Sequence, residues 1–206
     1  MARRTKTEAA KTRRKILKAA LDVLVEKGYE RLTIEDVARR NALTKGAVYW
    51  HFKSKADLLS ELVAHMTTLH TEHISKTLPL PRSLDALKAH FIARAGLVMG
   101  TSVNRKFFHM MMRLDWSSPK LEPIKQRLRQ LEEGPFFIIE RTLSDLQVAG
   151  MLRANVDVEI VSAVLGSMWL GLINHKIASC LQGDLAQSID FGFSAILDSI
   201  KCVDFK

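Results

Sequence analysis

Apolar residues recur at intervals of three and four along nearly the whole chain, β-branched alternation is absent, and Gly and Pro fall between stretches of helical length. This pattern predicts an all-α fold of about nine helices with no sheet. The first helix is expected over roughly Glu8 to Lys27, burying Ile16, Ala20, Leu21, Leu24 and Val25. It stops at Gly28, a residue suited to the left-handed position after a helix end. Two very short helices are expected next, Ile34 to Arg40 behind Thr33 and Lys45 to His51 behind Thr44, each threonine placed to cap free amides. A long helix begins behind Ser54 and runs to about Leu78, where Leu78-Pro79-Leu80-Pro81 stops it and Ser83 caps the next. Further helices are expected at about 84–100, 104–114, 120–149 (with Gly134-Pro135 as a place for a bend), 157–181 and 185–202. Loops this short suit a bundle, and no fixed-period repeat points to a solenoid.

The chain has 206 residues, 47% hydrophobic and 26% charged, a composition that excludes disorder and lets a core form without covalent staples. Cys180 and Cys202 are read as reduced thiols in apolar helical surroundings, with no CxxC and no zinc spacing. The longest uncharged run, Ile160 to Asn174, falls short of the length a membrane span needs and is interrupted by Gly166, Ser167, Gly171 and Asn174. The N-terminus lacks the apolar stretch of a secretory signal. A cytoplasmic protein that crosses no membrane is the expectation.

Charge divides the chain more sharply than hydropathy does. Residues 1 to 60 hold 15 Lys+Arg and 7 Asp+Glu, a net of +8, whereas residues 61 to 206 carry a net of +1. A basic segment at one end is the footprint of phosphate binding, with an anionic membrane surface as the rival partner. Two short helices joined by Asn41-Ala42-Leu43 inside that segment, braced by a longer helix on each side, make a helix-turn-helix. In the second short helix Lys45 can reach guanine acceptors, Gly46 permits close approach, and Tyr49 and His51 can donate to phosphates. Val48 and Phe52 point the other way, into a small core with Leu32, Val37 and Leu43. The competing reading of the segment is a small helical subdomain with ordinary core aromatics and solvated lysines.

Ile16 through Gly28-Tyr29, Thr33-Ile34-Glu35-Asp36-Val37-Ala38, Thr44-Lys45-Gly46-Ala47-Val48-Tyr49-Trp50-His51-Phe52 and Lys53-Ser54-Lys55-Ala56-Asp57-Leu58 resemble the DNA-binding domain of the TetR family, in particular its AcrR-type repressors of multidrug efflux. The likeness covers about 55 residues, and the rest of the chain matches in layout alone. The resemblance implies an all-helical dimer that leaves its operator when a ligand enters the C-terminal domain. By position it makes Lys45, Gly46, Tyr49 and His51 operator-facing, with Thr33, Thr44, Trp50 and Lys55 touching phosphates or bracing the helix. It also divides the chain into a DNA-binding domain, 1–53, and a ligand-binding and dimerisation domain, 54–206. Arg3 and Arg4 resemble arms that reach into a minor groove. Where the family usually has glycine in the turn, this chain has Ala42; a positive φ there costs about 1 kcal/mol unless Asn41 takes that conformation or the turn differs.

The neutral part offers weaker candidates. Small residues such as Gly166 in an otherwise apolar helix, together with Trp169, Leu170 and Ile173, and the last helix with Phe193, Ile196 and Leu197, suit a four-helix dimer interface. The alternative is that their own chain covers them, and the family layout favours the dimer. Soft apolar residues cluster between, with Phe107, Met111, Phe137 and Trp116 as candidate lining of a pocket for a small hydrophobic ligand, His70 beside them, and Glu140 to neutralise a cationic one. Plain core is the alternative for each. His70 and His73 lie one turn apart without further ligands, so no metal is expected. Glu132 and Glu133 diverge on a helix, and no phosphate loop or nucleophile motif is present, so neither a cofactor nor an enzyme activity is expected. The reading is a ligand-responsive repressor of a double-stranded operator. Its rivals are an all-helical carrier or enzyme for an apolar ligand without sequence-specific DNA binding, and an architectural DNA binder.

Overall fold

The computed structural model describes residues 6–129 and 134–202. Among them the chain is helical, with one isolated antiparallel bridge, Leu152 to Lys201. Ten α-helices and a 3₁₀ turn, Pro119–Leu121, are present. They are α1 (Lys6–Arg31), α2 (Ile34–Arg40), α3 (Lys45–Tyr49), α4 (Lys55–Thr77), α5 (Leu84–Gly100), α6 (Ser102–Met112), α7 (Glu122–Arg129), α8 (Pro135–Val148), α9 (Val158–Ile177) and α10 (Leu185–Ile200). The extra helix comes from the stretch expected as one, 120–149. Gly134, with ψ 156°, is an extended N-cap and Pro135 opens α8, where its missing N–H costs nothing and its ring fixes a helical φ. The chain divides into two compact units, Met1–His70 with Lys106–Arg127, and Thr71–Arg105 with Leu128–Lys206.

In the first unit α1 is interrupted at Gly28, whose φ of 76° and ψ of 169° mark the expected stop. Ile16, Leu17, Ala20, Leu24, Leu32, Val37, Val48, Phe52, Leu58 and Leu62 form its core. The turn after α2 is a Schellman ending: Leu43 N donates to Ala38 O at 2.9 Å and Ala42 N to Arg39 O at 3.2 Å. This pattern places the residue two after the helix in the left-handed region. Ala42 takes it, with φ 51°, while Asn41 stays at φ −102° and donates its side-chain amide to Val37 O at 3.2 Å.

The second unit centres on three aromatic rings. Phe91 of α5 stacks on Phe193 of α10 at 5.4 Å and meets Trp169 of α9 edge-on at 5.5 Å, and the Trp169 indole donates to Phe91 O at 2.9 Å. Each ring is fully buried. α8 lies against α9 so closely that a Cβ on Gly166 would sit 2.5 Å from the Phe136 ring, which explains the small residue there. At 20 residues α9 is long and apolar enough to cross a membrane by length and composition, a correction to the expectation drawn from its uncharged run. A packed core helix meets the same criteria, and α9 lays Leu165, Gly166, Trp169 and Ile173 inward. Cys180 and Cys202 are exposed, free, and lie beyond the ends of α9 and α10, whereas the sequence suggested apolar helical surroundings.

Ala42 is exposed, so Ala42→Gly loses no packing; relief of the left-handed strain exceeds the added chain entropy, and stability should rise by about 0.5–1 kcal/mol, read as a higher urea midpoint at constant m. His90 is 6% exposed in α5. Burial, then the charge of Arg94, holds its imidazole below the ordinary 6.5, against the bond to Pro79 O. The folded state therefore binds fewer protons than the unfolded chain. Stability from this group is complete above 6.5 and is lost as pH falls through that value toward the depressed one. Unfolding curves between about pH 7 and pH 5 should show a smaller loss for His90→Gln than for the wild type.

Candidate nucleic-acid interface

A helix of five residues has too few internal hydrogen bonds to hold itself, so α3 depends on its ends and on one buried face. At its start the Thr44 hydroxyl accepts from Ala47 N at 3.1 Å. Inward, Val48 and Phe52 are fully buried, and the Arg13 guanidinium lies 5.1 Å over the Phe52 ring while pairing with Glu61. α2 is fixed to α1 in a parallel way. Thr33 caps it through Asp36 N at 3.1 Å, and the Asp36 carboxylate takes Lys27 at 2.7 Å, Arg39 at 2.6 Å and the Thr33 hydroxyl at 2.8 Å. The Lys27 bond, then Thr33, draws this carboxyl down to about 2. Arg40 grips Glu26 with both guanidinium nitrogens at 2.6 Å.

With its inner face spent, α3 presents Thr44, Lys45, Gly46, Tyr49 and Trp50 outward, all exposed. Trp50 is 71% exposed, unusual for an indole on a small helical unit. A Cβ on Gly46 would meet nothing nearer than Thr44 Oγ1 at 4.0 Å, so the fold itself does not require glycine there. Lys45 pairs with Glu35 of α2, and its ammonium lies 5.8 Å over the Tyr49 ring. Thr33 is exposed. His51 is half-buried, with the Trp50 ring edge-on at 4.5 Å. Lys55 turns back to brace α1: it donates to Glu30 O at 2.9 Å and covers the Tyr29 ring at 4.5 Å, and burial pushes its ammonium below the usual range. Arg3, Arg4, Glu132 and Glu133 lie outside the described residues.

Sequence reasoning missed Glu35 and Asp36 as partners of the basic residues. Asp36 had a signal in the Thr33-x-x-Asp36 spacing, and Ser54-x-x-Asp57 had the same one: the Ser54 hydroxyl accepts from Asp57 N at 3.1 Å while Asp57 accepts from Lys53 N at 2.7 Å. Glu35 and Lys45 face each other across two elements, where no short-range period reports them.

The candidates of the neutral part fall in different places. Phe107 is buried, Met111 and Trp116 are half-buried and joined by the bond from the indole to Met111 O at 3.0 Å, and His70 meets Phe108 edge-on at 5.6 Å. These four belong to the first unit, and half-buried Phe137 and exposed Glu140 belong to the second. None of the six lines the cleft of about 330 Å³ beside Ser83, Met151 and Lys201, or that of about 240 Å³ beside Tyr29, Ser60 and Lys120. Of the residues expected at a subunit interface, Gly166, Trp169, Ile173, Phe193 and Leu197 are buried within the second unit, and Leu170 and Ile196 are half-buried. Exposed apolar side chains on the same helices are instead Ile160, Val164 and Phe191. Buried Arg94, 5.9 Å over the Trp169 ring, is a core cation that the sequence pattern did not reveal. Among the described residues no cluster of three His, Cys, Asp or Glu is placed to hold a metal ion.

The profile of bacterial regulatory proteins of the tetR family matches residues 16–62, the stretch that contains α2, the turn and α3. The HTH-type transcriptional regulator AcrR of Shigella flexneri is 45% identical over 193 residues, 90% of this chain and 87% of that protein. SmeT, the repressor of a Stenotrophomonas maltophilia multidrug efflux pump, has been solved with triclosan; that structure is 25% identical, with a TM-score of 0.75 over 94% of this chain and 93% of its own. NalD, the secondary repressor of the Pseudomonas aeruginosa MexAB-OprM pump, shares the fold with a TM-score of 0.77 at 23% identity, over 95% and 98% of the two chains. A capped and anchored α3 inside the matched residues, and a relative alike over nine-tenths of the length, agree: the chain belongs to the TetR family of bacterial transcriptional regulators.

Proposed function

We propose that the protein is a ligand-responsive repressor that binds a palindromic operator as a homodimer, in the cytoplasm, and leaves it when a small apolar inducer binds. Control of an efflux system is part of the reading, supported by the 25% identity to SmeT, the repressor of a multidrug efflux pump. The observation that carries it is α3, which is held by Val48, Phe52 and its Thr44 cap and turns Lys45, Gly46, Tyr49 and Trp50 to solvent. The N-terminal part that contains it is the most basic of the chain. In this reading residues 1–53 bind DNA and 54–206 bind ligand and the second subunit. Lys45, Gly46, Tyr49 and His51 face the operator, Thr33, Thr44 and Trp50 meet or steady phosphate contacts, and Lys55 braces the helix. The protein performs no reaction.

An apolar stripe supports the dimer. Of the 20 residues of α9, its own chain buries Ser162, Leu165, Gly166, Trp169 and Ile173. Ile160 and Val164, one turn apart, are 61% and 48% exposed, and Phe191 of α10 is 78% exposed, the kind of surface a two-fold mate covers.

Two expected outcomes test the reading. Selection from a random duplex library should return a palindromic consensus, and Lys45→Ala should weaken binding to it by about 1–3 kcal/mol and relax one base pair per half-site. Equal affinity for consensus and random duplexes would indicate an architectural binder, and no DNA binding a ligand carrier. Replacing both Ile160 and Val164 with Asp should raise the dimer dissociation constant by about 100-fold or more in sedimentation equilibrium; an unchanged association would place the interface elsewhere.

A further inference from the structure

Glu35 is the second residue of α2 and Lys45 the first of α3. Their side chains pair across the turn, each about half exposed at 54%. The contact lowers the Glu35 carboxyl and raises the Lys45 ammonium from their ordinary values, the mutual hydrogen bond being the main cause in both. Lys45 is thus the one outward-facing cation at the head of α3, and it already has a counter-charge.

Resting on the DNA-binding reading above, this pairing changes what Lys45 contacts. A bare lysine would serve any phosphate, and phosphate contacts carry no sequence information. A phosphate that shares Lys45 with Glu35 brings a second anion against the carboxylate, and a phosphate that takes Lys45 away leaves that carboxylate unpaired beside a polyanion. Guanine does neither. Its O6 and N7 are uncharged acceptors, and an ammonium has three donors, so Lys45 can keep Glu35 on one N–H and give the others to the base. We propose that Glu35 is a specificity-determining positioning residue, which holds Lys45 for guanine in the major groove and withholds it from phosphates.

The test uses the full-length protein, the duplex that the wild type selects from a random library, and a random-sequence duplex of equal length. Glu35→Gln should bind the random duplex about 3–10-fold more tightly near 0.1 M salt, and its log–log salt dependence should steepen by about 0.9 per protomer as Lys45 gains a phosphate. Renewed selection with the variant should show a weaker guanine preference at one position per half-site. With Lys45→Gln already present, Glu35→Gln should change random-duplex affinity by less than about twofold, because Glu35 acts through Lys45. Glu35→Ala, judged with Glu35→Gln by helical content and melting temperature, guards against a folding artefact. An unchanged salt slope and guanine preference in both variants, with a wild type that selects a consensus, would overturn the proposal and leave the DNA reading standing. So would an equal effect in the Lys45→Gln background, which would mean general repulsion. A wild type that selects no consensus would overturn both.

Discussion

The anchoring of α3 through Val48 and Phe52 is the constraint on which the outward face of the helix-turn-helix depends. Five residues cannot form a stable helix in water, so outward side chains on α3 hold their places only while the inward ones are locked. Both anchors are fully buried, and the Phe52 ring carries the Arg13 guanidinium of α1 above it. Arg13 in turn pairs with Glu61 of α4, so α1 and α4 are tied to each other beside the ring that anchors the short helix. A change that loosens this anchorage moves Lys45, Tyr49 and Trp50 together, although none of those three is part of the core.

Much of this was legible in the sequence because it follows from local rules. Thr33, Thr44 and Ser83 cap the helices they precede, each through the amide three residues on, and Gly28 takes the positive φ that a stop requires. The outward face of α3 could be read from its residue types alone. Longer-range features were not legible. Gly166 reads as a residue for a close-packed partner, and it is one, but the partner is Phe136 of the same chain. Trp169 and Phe193 look like interface aromatics until Phe91 is seen between them. Hydrophobic periodicity reports that a face is covered without saying by what. The break before α8 was visible as Gly134-Pro135, and the separate α7 was not, since its apolar spacing continues the same period.

The second unit shows why its last helices present apolar residues on more than one side. Trp169, Ile173, Phe193 and Leu197 complete the unit's own core, and a helix needs no further apolar side for that purpose. Ile160, Val164 and Phe191 remain exposed, an arrangement that burial within the chain does not account for. The same surplus explains why α9 meets the length and composition of a membrane span while one of its faces is packed in the bundle.

Charge in the first unit is arranged by the same economy. Its surplus of cations looks like a uniform basic surface in the sequence, yet Lys27 and Arg39 share Asp36, Arg40 is held by Glu26, and Lys45 by Glu35. Asp22 and Glu30 take their partners, Lys106 and Lys120, from far along the chain. The acidic residues among the first 60 therefore do more than dilute the basic ones, because each of these pairs joins two different elements or steadies one. A field built from pinned cations falls with salt as any other does, but its sources stay in place. Side chains held in this way keep fixed positions instead of sampling many rotamers, and that ordering cost is met in folding, before any partner arrives.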